Sequence, residues 1–146
     1  MPAQLIDGKL IAQKIRQDAA ERTKKLLTHG IQPCLAVVLV GEDPASISYV
    51  TAKEKALEEA GMASQDIRLP QMTSEAELLL LIDKLNQDPQ VHGILVQLPL
   101  PKHINEDRII TSIDPSKDVD GFHPLSVGNM VLGRPGFLPC TPHGVL

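Results

Sequence analysis

The sequence has few aromatic residues and few cysteines, and each shortage argues against a class of protein. Aromatic residues make up 2% of the 146 residues, with one tyrosine and no tryptophan, which disfavours a surface built on stacked bases or an aromatic cage. The only cysteines are Cys34 and Cys140, and their spacing fits neither a disulfide framework nor a metal site. This cysteine usage is typical of a reduced, cytoplasmic setting.

Strong charge and long apolar runs are also missing. The formal net charge is -4, which argues against a nucleic-acid-binding surface. No stretch has the composition and length of a signal peptide or a membrane span. Apolar residues make up 42% of the chain, and a chain of this length can bury about two thirds of its unfolded surface. We therefore expect a folded domain without a nucleic-acid or membrane partner.

Helical and apolar segments alternate over the first 115 residues. Strands are predicted at residues 35–40, 66–69 and 93–98, each bounded by turn or helix signals. The helices predicted around them cover residues 8–29, 44–61, 75–88 and 105–113. This alternation predicts a three-layer α/β fold, in which a mainly parallel sheet is flanked by helices on both faces.

Residues 116–146 differ from the alternating part, because they are rich in glycine and proline. A short helix is predicted over 125–131, and another start follows Thr141. We expect residues 1–115 to form the α/β domain. Residues 116–146 would then be an extension that carries Asp120 and begins a connector to a further domain.

The stretch of residues 40–53 is the first candidate for chemistry. It leaves a buried strand, turns at a glycine and enters a helix that Asp43 can cap. Tyr49 and Lys53 are four residues apart, so they share one helix face near a strand's carboxyl end, where ligands bind in open α/β sheets. Burial lowers the pKa of a lysine amine, which can then exchange protons near neutral pH. A solvated lysine and a packed tyrosine are the structural alternatives.

The Tyr49-x-x-x-Lys53 spacing also occurs in short-chain dehydrogenases. Those enzymes need a glycine-rich dinucleotide loop after the first strand. Here the strand is followed by Gly41-Glu42-Asp43-Pro44, which has no second glycine. The sequence therefore argues against a short-chain dehydrogenase.

Further polar side chains follow the third predicted strand. Gln97 stands at its carboxyl end, on the same edge of the sheet as Lys53, and its amide needs both donor and acceptor partners. Asp120 precedes a glycine and suits an ordinary turn, but a carboxylate can also accept two parallel N–H bonds from an amino-pyrimidinone edge. Asp118, Asp120 and His123 have no further ligands at useful spacing, so no metal site is predicted.

Several blocks of sequence occur in an order that is typical of one family. The blocks are Val40-Gly41-Glu42-Asp43-Pro44-Ala45-Ser46 with Tyr49-Val50-x-x-Lys53, Val96-Gln97-Leu98-Pro99-Leu100-Pro101, Lys117-Asp118-Val119-Asp120-Gly121-Phe122, and Pro139-Cys140-Thr141-Pro142-x-Gly144. Together with Ile6-Asp7-Gly8-Lys9, they resemble the bifunctional methylenetetrahydrofolate dehydrogenase/methenyltetrahydrofolate cyclohydrolase family. The set covers nearly the whole chain and is far more specific than any one block.

The resemblance implies two reactions. A hydride passes from methylenetetrahydrofolate to NADP or NAD, and water then opens methenyltetrahydrofolate to 10-formyltetrahydrofolate. Lys53 would transfer the proton, while Gln97 would hydrogen-bond Lys53 and tune it. Tyr49 would line the folate ring, and Asp120 would hold the pterin edge. The substrate-binding residues implied are Tyr49, Lys53, Val96, Gln97, Leu98 and Asp120.

The resemblance also bears on cofactor, assembly and location. Members of the family carry a second, Rossmann-like domain, which would bind NADP and is absent from this chain, so no cofactor is expected on this chain alone. A homodimer is implied for the parent enzyme, with a role in cytoplasmic one-carbon metabolism and purine biosynthesis. Dehydrogenase activity is expected to be absent here, and cyclohydrolase activity weak.

Two other functions stay open on the sequence alone. A folate-binding module would hold the substrate without turning it over, and an unrelated α/β domain would serve as an interaction surface. The choice between NADP and NAD also stays open, because the loop that decides it lies outside the sequence.

Overall fold

The computed structural model describes residues 6–145, in which helices and strands alternate. The helices are α1 (Gly8–Thr28), α2 (Pro44–Glu59), α3 (Glu75–Gln87), α4 (Glu106–Ser112), α5 (Pro124–Val131) and α6 (Cys140–Val145). The strands are β1 (Cys34–Val40), β2 (Ala63–Leu69) and β3 (Gly93–Val96). They form one parallel sheet in the order β2-β1-β3.

The middle strand, β1, is covered on both faces. Successive side chains of a strand point to opposite sides of the sheet, and β1 shows this alternation. Val38 packs in one cluster with Ile82 of α3 and Ile109 of α4, whereas Val37 packs in another with Val50 of α2. The structure therefore confirms the predicted three-layer α/β fold with helices on both faces of a parallel sheet.

Side-chain caps fix the starts of α2 and α3. The Asp43 carboxylate accepts a hydrogen bond from the Ser46 N–H at 2.8 Å, and a proline occupies the first turn of α2. At α3, Ser74 and Glu77 form a reciprocal capping box, which satisfies two backbone donors that the helix itself leaves unpaired. Both starts agree with the sequence predictions.

Two strands differ in length from the prediction. β2 begins at Ala63, earlier than the predicted residue 66. Its side chains alternate between half-buried and exposed, so its first residues form no apolar run by which the sequence could reveal the start. β3 ends at Val96 rather than at 98. Only the Gln97 N–H continues the pairing, to the Val38 carbonyl at 2.8 Å, and the chain then leaves the sheet at a proline, which has no N–H to donate. Gln97 thus lies at the rim of the sheet.

The chain beyond α4 returns to the sheet beside β3. Ile94 and Asp118 form an isolated parallel bridge, in which the Ile94 N–H donates to the Lys117 carbonyl at 2.8 Å. α6 begins at Cys140, slightly before the predicted start after Thr141. The division into residues 1–115 and 116–146 stays a prediction. No helix within residues 6–145 combines the length and the apolar character that crossing a membrane requires.

Candidate active site

A cavity of about 660 Å³ opens beside α1 and α2, and its wall includes Leu35 of β1, Leu95 of β3 and Gln97 just after β3. Its wall includes residues of α1, α2, the loop after β3, the Asp120 loop and the start of α6. Tyr49, Lys53, Gln97 and Asp120 all line it. A mostly apolar cavity with a few convergent polar groups is the usual form of a small-molecule site. The structure therefore brings four of the predicted site residues together from three separate segments.

Lys53 and Gln97 are in direct contact inside this cavity. The Lys53 Nζ donates a hydrogen bond to the Gln97 Oε1 at 3.1 Å. The Gln97 Nε2 donates to the Leu98 carbonyl at 2.7 Å, which turns the amide oxygen toward the lysine. A neutral amide thus fixes the amine in place without adding a negative charge beside it.

Tyr49 lies one helical turn before Lys53 on the same face of α2. Its side chain lines the cavity, yet the residue is 65% exposed. The ring therefore presents an open aromatic surface, against which a flat ligand can pack.

Asp120 lines the cavity from the loop before α5. Burial raises the pKa of its carboxyl group, the nearby Lys53 acts to lower it, and Asp118 acts to raise it further. A half-buried carboxylate has lost part of its hydration, so a ligand that offers N–H donors would replace what water no longer supplies.

The backbone after Asp120 is tightly constrained at Gly121. This residue has a φ of 72°, a conformation that glycine adopts without cost. A Cβ atom built there would lie 2.8 Å from the Leu138 carbonyl carbon and 2.8 Å from the Pro139 nitrogen. The Asp120 loop is therefore packed directly against the segment that leads into α6, and only glycine fits at the contact.

Two predicted substrate-binding residues do not bring their side chains to this cavity. Val96 is buried in the core cluster beneath α3 and α4, and Leu98 packs against the same cluster. Substrate contact by these two residues stays a prediction, and their side-chain packing gives it no support.

Several cavity residues were missed by sequence reasoning. Ile15 and Arg16 of α1, together with Cys140 and Thr141 of α6, contribute to the wall. The α1 residues gave no local signal, because only the packing of α1 on α2 brings them to the cavity. The Pro139-Cys140-Thr141-Pro142 block was a usable signal, but its sequence indicated only a connector.

The described residues give little support for a metal or a dinucleotide. Within residues 6–145 no group of three or more His, Cys, Asp or Glu side chains is arranged to hold a metal ion. At the turn after β1, the Asp43 carboxylate occupies the start of α2, and the Ser46 N–H holds the pKa of that carboxyl below its usual range. A negative charge there opposes a pyrophosphate, which needs a free helix N-terminus. This turn therefore does not fit a dinucleotide.

Comparison with known families gives one match that covers most of the chain. The profile described as "Tetrahydrofolate dehydrogenase/cyclohydrolase, catalytic domain" matches residues 6–120. The chain belongs to this family. The match includes the segments that carry Tyr49, Lys53, Gln97 and Asp120, so it confirms the family resemblance found in the sequence.

Relatives of the tetrahydrofolate dehydrogenase/cyclohydrolase family resemble the chain along its whole length. Bifunctional protein FolD of Exiguobacterium sibiricum is 60% identical over 144 residues, which cover 99% of this chain and 52% of that protein. The protein of the same name from Moorella thermoacetica is 58% identical over 146 residues, or 100% of this chain and 52% of the relative. The chain thus spans about half the length of the curated relatives it matches.

Solved structures of the family have the same fold. The bifunctional FolD methylenetetrahydrofolate dehydrogenase/cyclohydrolase of Campylobacter jejuni superposes with a TM-score of 0.95 at 54% identity, covering 97% of this chain and 51% of that one. The Trypanosoma brucei methylenetetrahydrofolate dehydrogenase-cyclohydrolase, solved with NADP cofactor and an inhibitor, gives 0.92 at 33% identity, covering 99% and 50%. The α/β unit described here therefore corresponds to about half of each of those chains.

Proposed function

We propose that this chain is the folate-binding part of an enzyme that oxidises methylenetetrahydrofolate and hydrolyses methenyltetrahydrofolate to 10-formyltetrahydrofolate. The observation that carries the proposal is the 3.1 Å contact between Lys53 and Gln97. It lies in one cavity with Tyr49 and Asp120, inside the region that matches the family profile. Family membership supplies the reactions, and the cavity supplies groups that suit them.

Binding would use Asp120 and Tyr49 for different parts of the ligand. The Asp120 carboxylate would accept the N–H donors of the amino-pyrimidinone edge of the pterin. Its partial burial supports this role, because the carboxylate has already lost hydration that the pterin would replace. The exposed ring of Tyr49 would pack against the folate and place the reacting carbon near Lys53.

Hydrolysis would depend on Lys53. Water attacks the cationic methenyl carbon, and the Lys53 amine, in its unprotonated form, accepts the proton that water loses. The bond from this carbon to N5 then breaks as the proton of the new hydroxyl moves to N5, which leaves the formyl group on N10. An uncharged amine tolerates the cationic substrate, whereas an ammonium would repel it. Gln97 would keep the amine pointed into the cavity through its Oε1 acceptor.

Oxidation needs a second component. When bound, NADP would accept the hydride from the methylene carbon, which requires the nicotinamide to be held against the substrate. The turn after β1 does not suit a dinucleotide, so we assign nucleotide binding to a part of the parent enzyme outside residues 6–145. On the family resemblance, we expect a cytoplasmic homodimer in one-carbon metabolism that supplies purine biosynthesis. This chain alone should lack dehydrogenase activity and retain weak cyclohydrolase activity.

The test compares two neighbouring lysines of α2. Lys53→Met should lower the rate of methenyltetrahydrofolate hydrolysis about 100-fold or more, which is the usual contribution of a proton-transfer group. Lys55→Met is the matched control, because Lys55 is exposed and does not line the cavity. The rate is followed by the loss of methenyltetrahydrofolate absorbance.

Two outcomes would reject catalysis by this chain. Equal rates for the chain and for Lys53→Met would remove Lys53 from the mechanism. If the chain bound the folate but methenyltetrahydrofolate was hydrolysed no faster than in buffer alone, the chain would be a binding module without turnover. Folate binding that was unchanged by Asp120→Ala would remove Asp120 from the proposed binding site.

A further inference from the structure

Asp118 is an almost fully buried charge next to the site, only 2% exposed. Its Oδ2 accepts a hydrogen bond from the His123 N–H at 2.9 Å and another from the Ser126 hydroxyl at 2.7 Å. His123 is the residue that caps the start of α5. The carboxylate therefore joins the beginning of the Asp120 loop to the beginning of the helix that follows it.

Lys117 anchors the same segment to a different element, the end of α3. Its Nζ donates to the carbonyl oxygens of Leu85, Asn86 and Asp88, at 3.0, 2.8 and 2.8 Å. These carbonyls lie at the C-terminal end of α3, where the helix leaves acceptors unpaired and favours a positive charge. All three donors of the ammonium are used, so Lys117 has a structural task and is not free for a ligand.

The two residues fix one end of the Asp120 loop, and Gly121 fixes the other. The backbone at Lys117 is bonded to Ile94 of β3, and Gly121 is packed against the segment before α6. Asp120 lies between these points. Its direction toward the cavity therefore depends on how firmly both ends are held.

We propose that Asp118 is a positioning residue, which holds the Asp120 carboxylate toward the cavity by bonding the loop to the start of α5, while Lys117 anchors the loop to α3. The proposal rests on the proposed pterin-binding role of Asp120. A buried charge costs free energy unless it is well hydrogen-bonded, and an ordinary turn does not require one. Two charge-assisted hydrogen bonds hold a loop more firmly than neutral ones do.

The test measures the affinity of the chain for 5-formyltetrahydrofolate, a stable reduced folate, by titration calorimetry. Asp118→Asn should weaken binding about tenfold, because the loop loses its charge-assisted bonds. Ser126→Ala, which removes one of the two donors and leaves the carboxylate in place, should weaken binding by a smaller factor of about three. This milder variant keeps the test available if Asp118→Asn does not fold.

A double-mutant cycle separates positioning from general destabilisation. Asp120→Ala alone should weaken binding. In that background, Asp118→Asn should cost no further affinity, because it acts through a carboxylate that has been removed. Ser74→Ala is the matched control: it removes a cap at α3, away from the cavity, and should lower the melting temperature without changing affinity.

The outcomes distinguish the two proposals. If Asp118→Asn and Ser126→Ala bind as tightly as the parent chain while Asp120→Ala does not, the positioning role is wrong and the proposed function stands. An equal loss from Asp118→Asn with and without Asp120 would also overturn it. If Asp120→Ala binds like the parent chain, the proposed role of Asp120 fails, and the inference built on it fails too.

Discussion

Lys53 and Asp120 line the same cavity, but different kinds of structure hold them there. Lys53 belongs to α2, a regular helix that packs on the central strand through Val50. Asp120 belongs to an irregular loop that a few side-chain bonds and one glycine hold in place. Many contacts together hold the helix in place, whereas the loop depends on a small number of individual contacts. We therefore expect single changes to affect the loop more than the helix.

The largest expected effect is on the loop, at Gly121. Gly121→Ala forces a left-handed conformation on a residue with a Cβ and brings that atom within 2.8 Å of the backbone at Leu138 and Pro139. We expect a loss of at least about 2 kcal/mol in the free energy of unfolding, measured by urea denaturation. Gly128→Ala is the control, because the space around Gly128 is open and alanine favours a helix. Equal stability of the two variants would mean that the loop is not constrained as described.

Gln97 holds the amine of Lys53 on the helical part of the site, and its removal should have the next largest effect. Gln97→Leu deletes the acceptor for the Lys53 amine. Without this acceptor the amine has an unsatisfied donor inside the cavity, which costs about 1–3 kcal/mol, so the proposed cyclohydrolase activity should fall about tenfold or more. Gln90→Leu, at an exposed position away from the cavity, should leave the rate unchanged. A Gln97→Leu variant with full activity would show that α2 alone positions Lys53.

The regular part of the fold should show a moderate effect at a helix cap. Ser74→Ala removes the side chain that accepts from the Glu77 N–H at the start of α3. Loss of such a cap typically costs about 1 kcal/mol, which thermal unfolding will detect. Ser48→Ala, in the exposed part of α2, should cost nothing comparable. A loss at Ser74 as large as that at Gly121 would contradict the contrast between the two regions.

The smallest effect concerns the charge of Asp120 and depends on pH. Burial raises the pKa of this carboxyl, so the folded state prefers its protonated form. That contribution to stability is complete below the ordinary aspartate pKa, about 3.9, and is lost as the pH rises through the higher folded value. At pH 7 the ionised carboxylate therefore destabilises the fold. Asp120→Asn should raise the melting temperature by a few degrees at pH 7, and the gain should shrink toward pH 4.

Asp114 provides a control of opposite sign for the pH experiment. Hydrogen bonds from the Ser116 side chain and backbone lower the pKa of its carboxyl. The stability that it contributes is present above the ordinary aspartate pKa and is lost as the pH falls through the lower folded value. Asp114→Asn should therefore lower the melting temperature at pH 7, with the difference disappearing in acid. If both variants shifted in the same direction, the charges would not explain either shift.

The regular part of the fold could be predicted from the sequence, because its signals are local. The apolar run of β1, the Asp43 cap and the Ser74–Glu77 capping box each appear within a few residues of sequence and within the elements they predict. The end of β3 at Val96 was missed, since Leu98 extends the apolar pattern beyond the residues of the strand. The local sequence pattern therefore predicted which helices and strands are present better than it predicted where they begin and end.

The candidate site could be predicted only in part. Lys53 and Gln97 follow neighbouring parallel strands, so their shared edge of the sheet was predictable. The position of Asp118 was not, because an aspartate in a glycine-containing turn looks the same in sequence whether it is solvated or buried. Arg16 was missed for a related reason: the packing of one helix on another leaves no signal in either segment.

The tight contact between Gly121 and Pro139 places the Asp120 loop close to a natural labelling site. Cys140 directly follows that proline and is exposed. The other thiol, Cys34, is partly covered, and burial raises its pKa, which slows its reaction with alkylating reagents. A fluorescent label will therefore attach preferentially at Cys140 and report on displacement of the neighbouring loop, without an added cysteine.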